Sequence, residues 1–252
     1  DNGEGDSNEM SFLQHLEELR WTILKAVIGI ALGAVVCGIY ADFIVQTLLL
    51  HPLKSVGLKS QVLSPYGIVM LYMEAVLMCS IIISMPNTLF WLWKFVSPGL
   101  MPGEKRYISA IVFFTSLCFF AGVAFGYFIV LPTSLNFFAH FGTSNIDLNI
   151  AIDRYVSFVL TLILGAGLVF ELPMVTYFLS KMGLLTPAFM RHYRRHAFVA
   201  ILIISAVVTP TPDIVTQLLL AIPMLVLYEA RILVSKLSQG ETSFNRPISS
   251  SG

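Results

Sequence analysis

Glu171 stands within "GAGLVFELPMVTYF" (165–178), a run otherwise free of charge and interrupted by Pro173. An ionised carboxylate in hydrocarbon costs several kcal/mol unless it is paired, hydrated or neutralised. A chain that keeps one there directs it at a cavity or a partner group, so Glu171 is a candidate functional residue. Acids in two further stretches merit the same question. In "SFLQHLEELRW" (11–21), Phe12, Leu16 and Leu19 share one helical face, and Glu17, Glu18 and Arg20 fall on the polar side. Ser11 and Gln14 fit a capping box. Read by themselves, these charges make a solvated face with a Glu17–Arg20 pair one turn apart. In "WKFVSPGLMPGEKRY" (93–107), the "SPG" and "MPG" punctuation gives a loop of defined shape. Glu104 is its only acid, and Phe95 and Val96 are apolar. Either Glu104 pairs locally with Lys105 or Arg106, or it joins the N-terminal glutamates in a site for a basic ligand.

Other chemistries find little support. His192 and His196 are spaced i,i+4 in "RHYRRH" without a third ligand nearby, so no metal is expected. Cys37, Cys79 and Cys118 lie far apart in apolar segments and read as buried thiols. No GxSxG, HExxH, Walker A or GxGxxG pattern occurs, so neither an enzyme nor a cofactor is expected.

The elements that hold these residues follow from composition. The chain has 252 residues, 56% hydrophobic and 12% charged, with mean hydropathy +0.81. Soluble domains carry about 25% charged residues, so a membrane protein with several spans is expected. Zero net charge argues against a broadly basic nucleic-acid binder. Spans of about 20 apolar residues fall at about 22–41, 68–93, 108–131 and 156–180. Two shorter runs, 197–208 and 214–228, flank "TPTPD" (209–213), whose prolines stop a helix. The first of these is about 18 Å long against about 30 Å of hydrocarbon. The expected fold is therefore all-α, with six transmembrane helices of which the last two are short. It forms one membrane domain over 11–237, between disordered tails at 1–10 and 238–252. The acidic, polar start "DNGEGDSNEM" is the opposite of a signal peptide's, so none is expected.

With a cytoplasmic N-terminus, twelve of the fifteen lysines and arginines fall on inside segments, which places both termini in the cytoplasm. The outside segments, about 42–67 and 132–155, are long enough to cap the outer face. The stretch "DFIVQTLLLHPLKSVGL" suits a short interfacial helix ended by Pro52. Pro86 and Pro173 are expected to kink their spans and frame a concave surface around Glu171.

Taken in order, "SFLQHLEELR", "FVSPGLMPGEKR", "YFIVLP", "SFVLTLILGAGLVFELP" and "TPTPDIVTQLLLAIPMLVLYE" resemble the TatC family, the polytopic receptor subunit of the twin-arginine protein translocase. The likeness covers about residues 11–237. It implies a glove-like concave fold in the cytoplasmic (inner) membrane and dependence on the proton-motive force. The implied function is recognition of the twin-arginine signal peptides of folded cargo proteins, followed by assembly of the translocon. By motif match, Glu18 and Glu104 would bind the two arginines, with Arg20 and Phe95 shaping the surface. Glu171 and Gln217 would dock the small single-span subunits (TatA/TatB type). Pro52 and Asp213 take structural or interface roles. Membrane lipids and self-association complete the implied partners.

The chain departs from the family pattern at Thr22, at Gly67, at Glu74 and in a "TPTPD" turn one residue longer than usual. The alternative function is a secondary transporter or channel with an intramembrane carboxylate. It predicts a through-path and repeated halves, and no repeat is found.

Overall fold

The computed structural model describes residues 5–57, 59–96, 108–141, 149–181, 194–209 and 213–244. Nearly all of this is helix, as the physics of the bilayer demands: a backbone in hydrocarbon satisfies its polar groups internally or within a protein interior. Helix α1 runs Gly5–Ile39. A bent segment follows, with α2 (Ala41–Phe43), a π-helical stretch Ile44–Leu49 and α3 (Leu50–Ser55). Strand β1 (Lys59–Gln61) precedes α4 (Gly67–Val96). Helix α5 (Ile108–Phe125) passes through a π-helical turn Gly126–Val130 into α6 (Leu131–His140). Strand β2 (Asn149–Ala151) leads to α7 (Ile152–Lys181), and α8 (Arg194–Val208) and α9 (Ile214–Phe244) close the chain.

Among the described residues, four helical stretches are long and apolar enough to cross a membrane: His15–Ile39, Gly67–Phe95, Ser109–His140 and Ile152–Thr176. The apolar part of α9, Ile214–Glu229, is shorter, and α8 has 15 residues, about 22 Å of helix. The protein is an all-α membrane protein.

Several boundaries differ from the sequence reading. The third span does not stop near residue 131 but continues to His140. Pro132 cannot donate a backbone bond, yet it follows a π-helical turn where the ladder is already shifted, and the Thr133 hydroxyl caps the Ile129 carbonyl at 2.6 Å. Pro52 lies inside α3 rather than ending a helix. Helix α1 reaches back to Gly5 and α9 on to Phe244, into segments expected to be tails. No proline interrupts 5–39, and the acids near its start suit a helix N-terminus.

Small residues set the helix contacts, as expected where lipid removes the hydrophobic drive between spans. Helix α1 packs chiefly on α4. A Cβ at Gly33 would lie 2.5 Å from Ser84 Oγ and 3.1 Å from the Ser80 carbonyl oxygen, and one at Gly29 would collide with Asn87. Ser84 donates to the Gly29 carbonyl at 2.9 Å. Helix α5 packs on α7 in the same manner, since a Cβ at Gly122 would sit 2.6 Å from the Ala166 carbonyl oxygen. Helix α7 is central, touching α4, α5, α8 and α9.

The largest apolar core lies where α1 ends and α7 begins. It includes Cys37, Val45, Leu49, Leu53, Leu131 and Val156. Here β1 and β2 pair in parallel, Lys59 opposite Asn149 and Gln61 opposite Ala151. This is the strand end of the bundle. The opposite end, carrying Arg20, Lys25, Lys94 and Arg194, is the basic end.

Candidate functional site

At the basic end, α1 and the last turn of α4 are joined by a stack of His15 on Phe95, with ring centroids 4.4 Å apart and planes 19° from parallel. The stack fixes which side of α1 faces Phe95. Glu18, three residues beyond His15, is on that side. Arg20, five residues beyond, is about 140° round the helix. Glu17, Glu18 and Arg20 are all exposed. The Glu17–Arg20 pair that the spacing allowed is not formed, and among the described residues none of the three makes an ion pair. Glu18 is thus an exposed carboxylate on the side of α1 that stacks against Phe95. Glu104 lies outside the described residues. His15, which holds the arrangement together, had no assigned role in the sequence; one histidine in an amphipathic helix does not announce its stacking partner.

Glu171 lies in α7 and is only 7% exposed. Its helix packs on α5. Its Oε1 is buried and has no hydrogen-bond partner among the described residues. Among the described residues, Glu171 is also the only charged one that is buried. Pro173 lies inside the same helix but faces elsewhere. Together with Val169, Leu172 and Thr176 it lines an apolar pocket of about 190 Å³ closed by α8 and α9. Glu171 does not line that pocket. Pro86 is likewise inside its helix, α4, between Ser84 and Asn87, which both bond to the α1 backbone.

The remaining assigned residues make hydrogen bonds within the chain or sit beside them. Asp213 Oδ1 accepts the Thr216 N–H at 2.6 Å and caps α9. The Thr216 hydroxyl in turn meets that of Ser134 at 2.9 Å in a buried pair between α9 and α6. Gln217 donates from Nε2 to the Leu202 carbonyl at 3.0 Å, tying α9 to α8.

Pro52 lacks the N–H that the Leu48 carbonyl would receive in a regular helix. The Tyr127 hydroxyl supplies it instead at 3.0 Å, and the Tyr155 hydroxyl donates to the Leu49 carbonyl at 2.8 Å. Neither tyrosine was singled out in the sequence, although a tyrosine in an apolar helix signals a hydroxyl that needs a partner. Among the described residues no cluster of three or more metal-binding side chains occurs.

The comparisons agree with this layout. The family model described as Sec-independent protein translocase protein (TatC) matches residues 14–223. A Sec-independent protein translocase protein TatC of Carboxydothermus hydrogenoformans is 33% identical over 231 residues, 92% of this chain and 95% of the relative. One of Helicobacter pylori is 38% identical over 223 residues, 88% of this chain and 86% of the relative. A crystal structure of the twin arginine translocase receptor TatC superposes with a TM-score of 0.78 at 33% identity, over 89% of this chain and 99% of that one. The chain belongs to the TatC family of Sec-independent protein translocase proteins.

Proposed function

We propose that this protein is the receptor of a twin-arginine translocase, that its basic end receives the paired arginines of signal peptides on folded cargo, and that Glu171 docks helices of the small single-span subunits. The observation that carries the receptor role is Glu18, an exposed carboxylate without an ion pair among the described residues, set beside the His15–Phe95 stack. A guanidinium binds a carboxylate bidentately, and the low dielectric of the headgroup boundary strengthens that attraction over its value in water. Glu104 supplies the second carboxylate in this reading, and two such groups read two charges with planar geometry. Lysine, a point charge, satisfies them less well. Arg20 shapes the flank of the surface.

Glu171 suits docking because a buried carboxylate oxygen without a partner is a standing demand for a donor. Gln217 belongs to the docking surface through the α8–α9 hairpin that it braces. Pro52, Pro86, Pro173 and Asp213 keep the scaffold's bends and caps. The cytoplasmic membrane, six spans counting α8 and α9, and cytoplasmic termini complete the reading. The protein acts by binding, with no chemical step of its own. A secondary transporter would need a polar path, and among the described residues Glu171 is the sole buried charge.

The test is export of a folded reporter in cells where this chain is the only receptor. A twin-arginine reporter should be exported with the wild-type chain and retained with Glu18→Ala or Glu171→Ala. Export of a twin-lysine reporter at the same rate would refute the proposal.

A further inference from the structure

The packing of α1 on α4 keeps a simple register until it reaches the basic end. Gly33 lies against Ser84, Gly29 lies against Asn87, and Lys25 sits over Trp91. Each step of four residues back along α1 is matched by three or four residues forward along α4. The next step would put Trp21 beside Phe95. Trp21 is exposed instead, and the ring stacked on Phe95 is that of His15. His15 is six residues farther along α1, about 9 Å of helix. Regular packing would leave these two rings apart.

Every side chain from His15 to Trp21 is exposed, so burial against the bundle does little to hold this end of α1. The stack does hold it. Its near-parallel planes use the face of the imidazole, as in an offset aromatic pair. On the α4 side, Phe95 is half-buried and is the last residue but one of the helix. Glu104 follows nine residues later in the chain. On the α1 side, Glu18 is one turn from His15. One ring pair thus joins the helix that carries Glu18 to the helix end from which the chain runs on to Glu104. A site that reads two guanidinium groups at once depends on where its carboxylates stand, because bidentate pairing tolerates little misalignment.

We propose that His15 is a positioning residue of the receptor site. Through its stack on Phe95 it sets Glu18 against the tip of α4, and it makes no contact with the arginines itself. This role rests on the receptor reading.

The test is the affinity of a fluorescent twin-arginine peptide for the full chain in lipid nanodiscs. It compares wild type, His15→Ala, His15→Phe, Glu18→Ala and His15→Ala/Glu18→Ala. His15→Ala should bind roughly fivefold more weakly. His15→Phe keeps a ring face and should bind within about twofold of wild type. The double variant should bind no more weakly than Glu18→Ala, since misplacing a carboxylate that is already missing costs nothing further. All four variants should unfold like wild type in an SDS titration, because only exposed side chains change. His15→Phe as weak as His15→Ala would overturn the role, and so would a double variant in which the two losses multiply. Earlier unfolding of His15→Ala would mark a purely structural role and overturn it too. Full binding by His15→Ala beside a loss in Glu18→Ala would strike the positioning role alone. Full binding by Glu18→Ala would strike the receptor reading beneath it.

Discussion

The two ends of the bundle treat their polar groups in opposite ways. At the strand end the chain supplies its own partners: Tyr127 and Tyr155 take the carbonyls around Pro52, Tyr72 donates to Asp42 at 2.8 Å, and β1 pairs with β2. At the basic end Glu18 and Arg20 have no ion pair among the described residues, and the tips of α1 and α4 meet through a ring stack. The first arrangement is a closed framework. The second leaves Glu18 and Arg20 without an ion pair among the described residues. Glu171 combines both, buried like the framework and, among the described residues, without a hydrogen-bond partner at Oε1.

Substitutions that separate stability from binding would sharpen or break this contrast. Glu18→Ala should weaken binding of a twin-arginine peptide by roughly tenfold to a hundredfold, about 1.5–3 kcal/mol for a charge-assisted bond. Its unfolding in an SDS titration should match wild type, because an exposed side chain is removed. Tyr155→Phe should do the reverse. It strands the Leu49 carbonyl in the core and should lower stability by about 1–3 kcal/mol, with peptide affinity unchanged. A tyrosine variant that lost peptide binding while remaining folded would erase the distinction between the ends. Asp213→Ala removes the α9 cap and should cost about 1 kcal/mol in the same titration. The smallest effect belongs to Arg194→Ala. Its ion pair with Glu229, at 3.2 Å, is exposed on both sides and should contribute no more than about 0.5 kcal/mol.

Hydropathy made the four long spans legible but said nothing of their neighbours. In α1 only 11% of the apolar span is buried, whereas in α7 it is 50%, at equal mean hydropathy. Lipid and protein interior look alike on that scale. A finer signal was present in the glycine spacing, Gly29 with Gly33 and Gly122 with Gly126. These i,i+4 pairs mark the faces where α1 meets α4 and α5 meets α7.

Glu171 stood out because charge is rare in hydrocarbon. Its separation from the Pro173 pocket did not, since that depends on which face of α7 each residue occupies. The extension of the third span past Pro132 was hidden because a π-helical turn makes room that a regular helix lacks. His15–Phe95 and the tyrosine–carbonyl bonds join residues about 80 or more positions apart. Periodicity reads only local order and cannot reveal them.

The central claim is that the carboxylates of the basic end receive the signal peptide while Glu171 serves a later docking step. The most direct measurement is photo-crosslinking of a twin-arginine signal peptide to this protein in membranes, for wild type, Glu18→Ala, Glu104→Ala and Glu171→Ala. The account predicts that the crosslink disappears in the first two variants and persists in Glu171→Ala, where assembly with the small subunits fails instead. A crosslink of equal strength to a twin-lysine peptide, indifferent to Glu18 and Glu104, would contradict it.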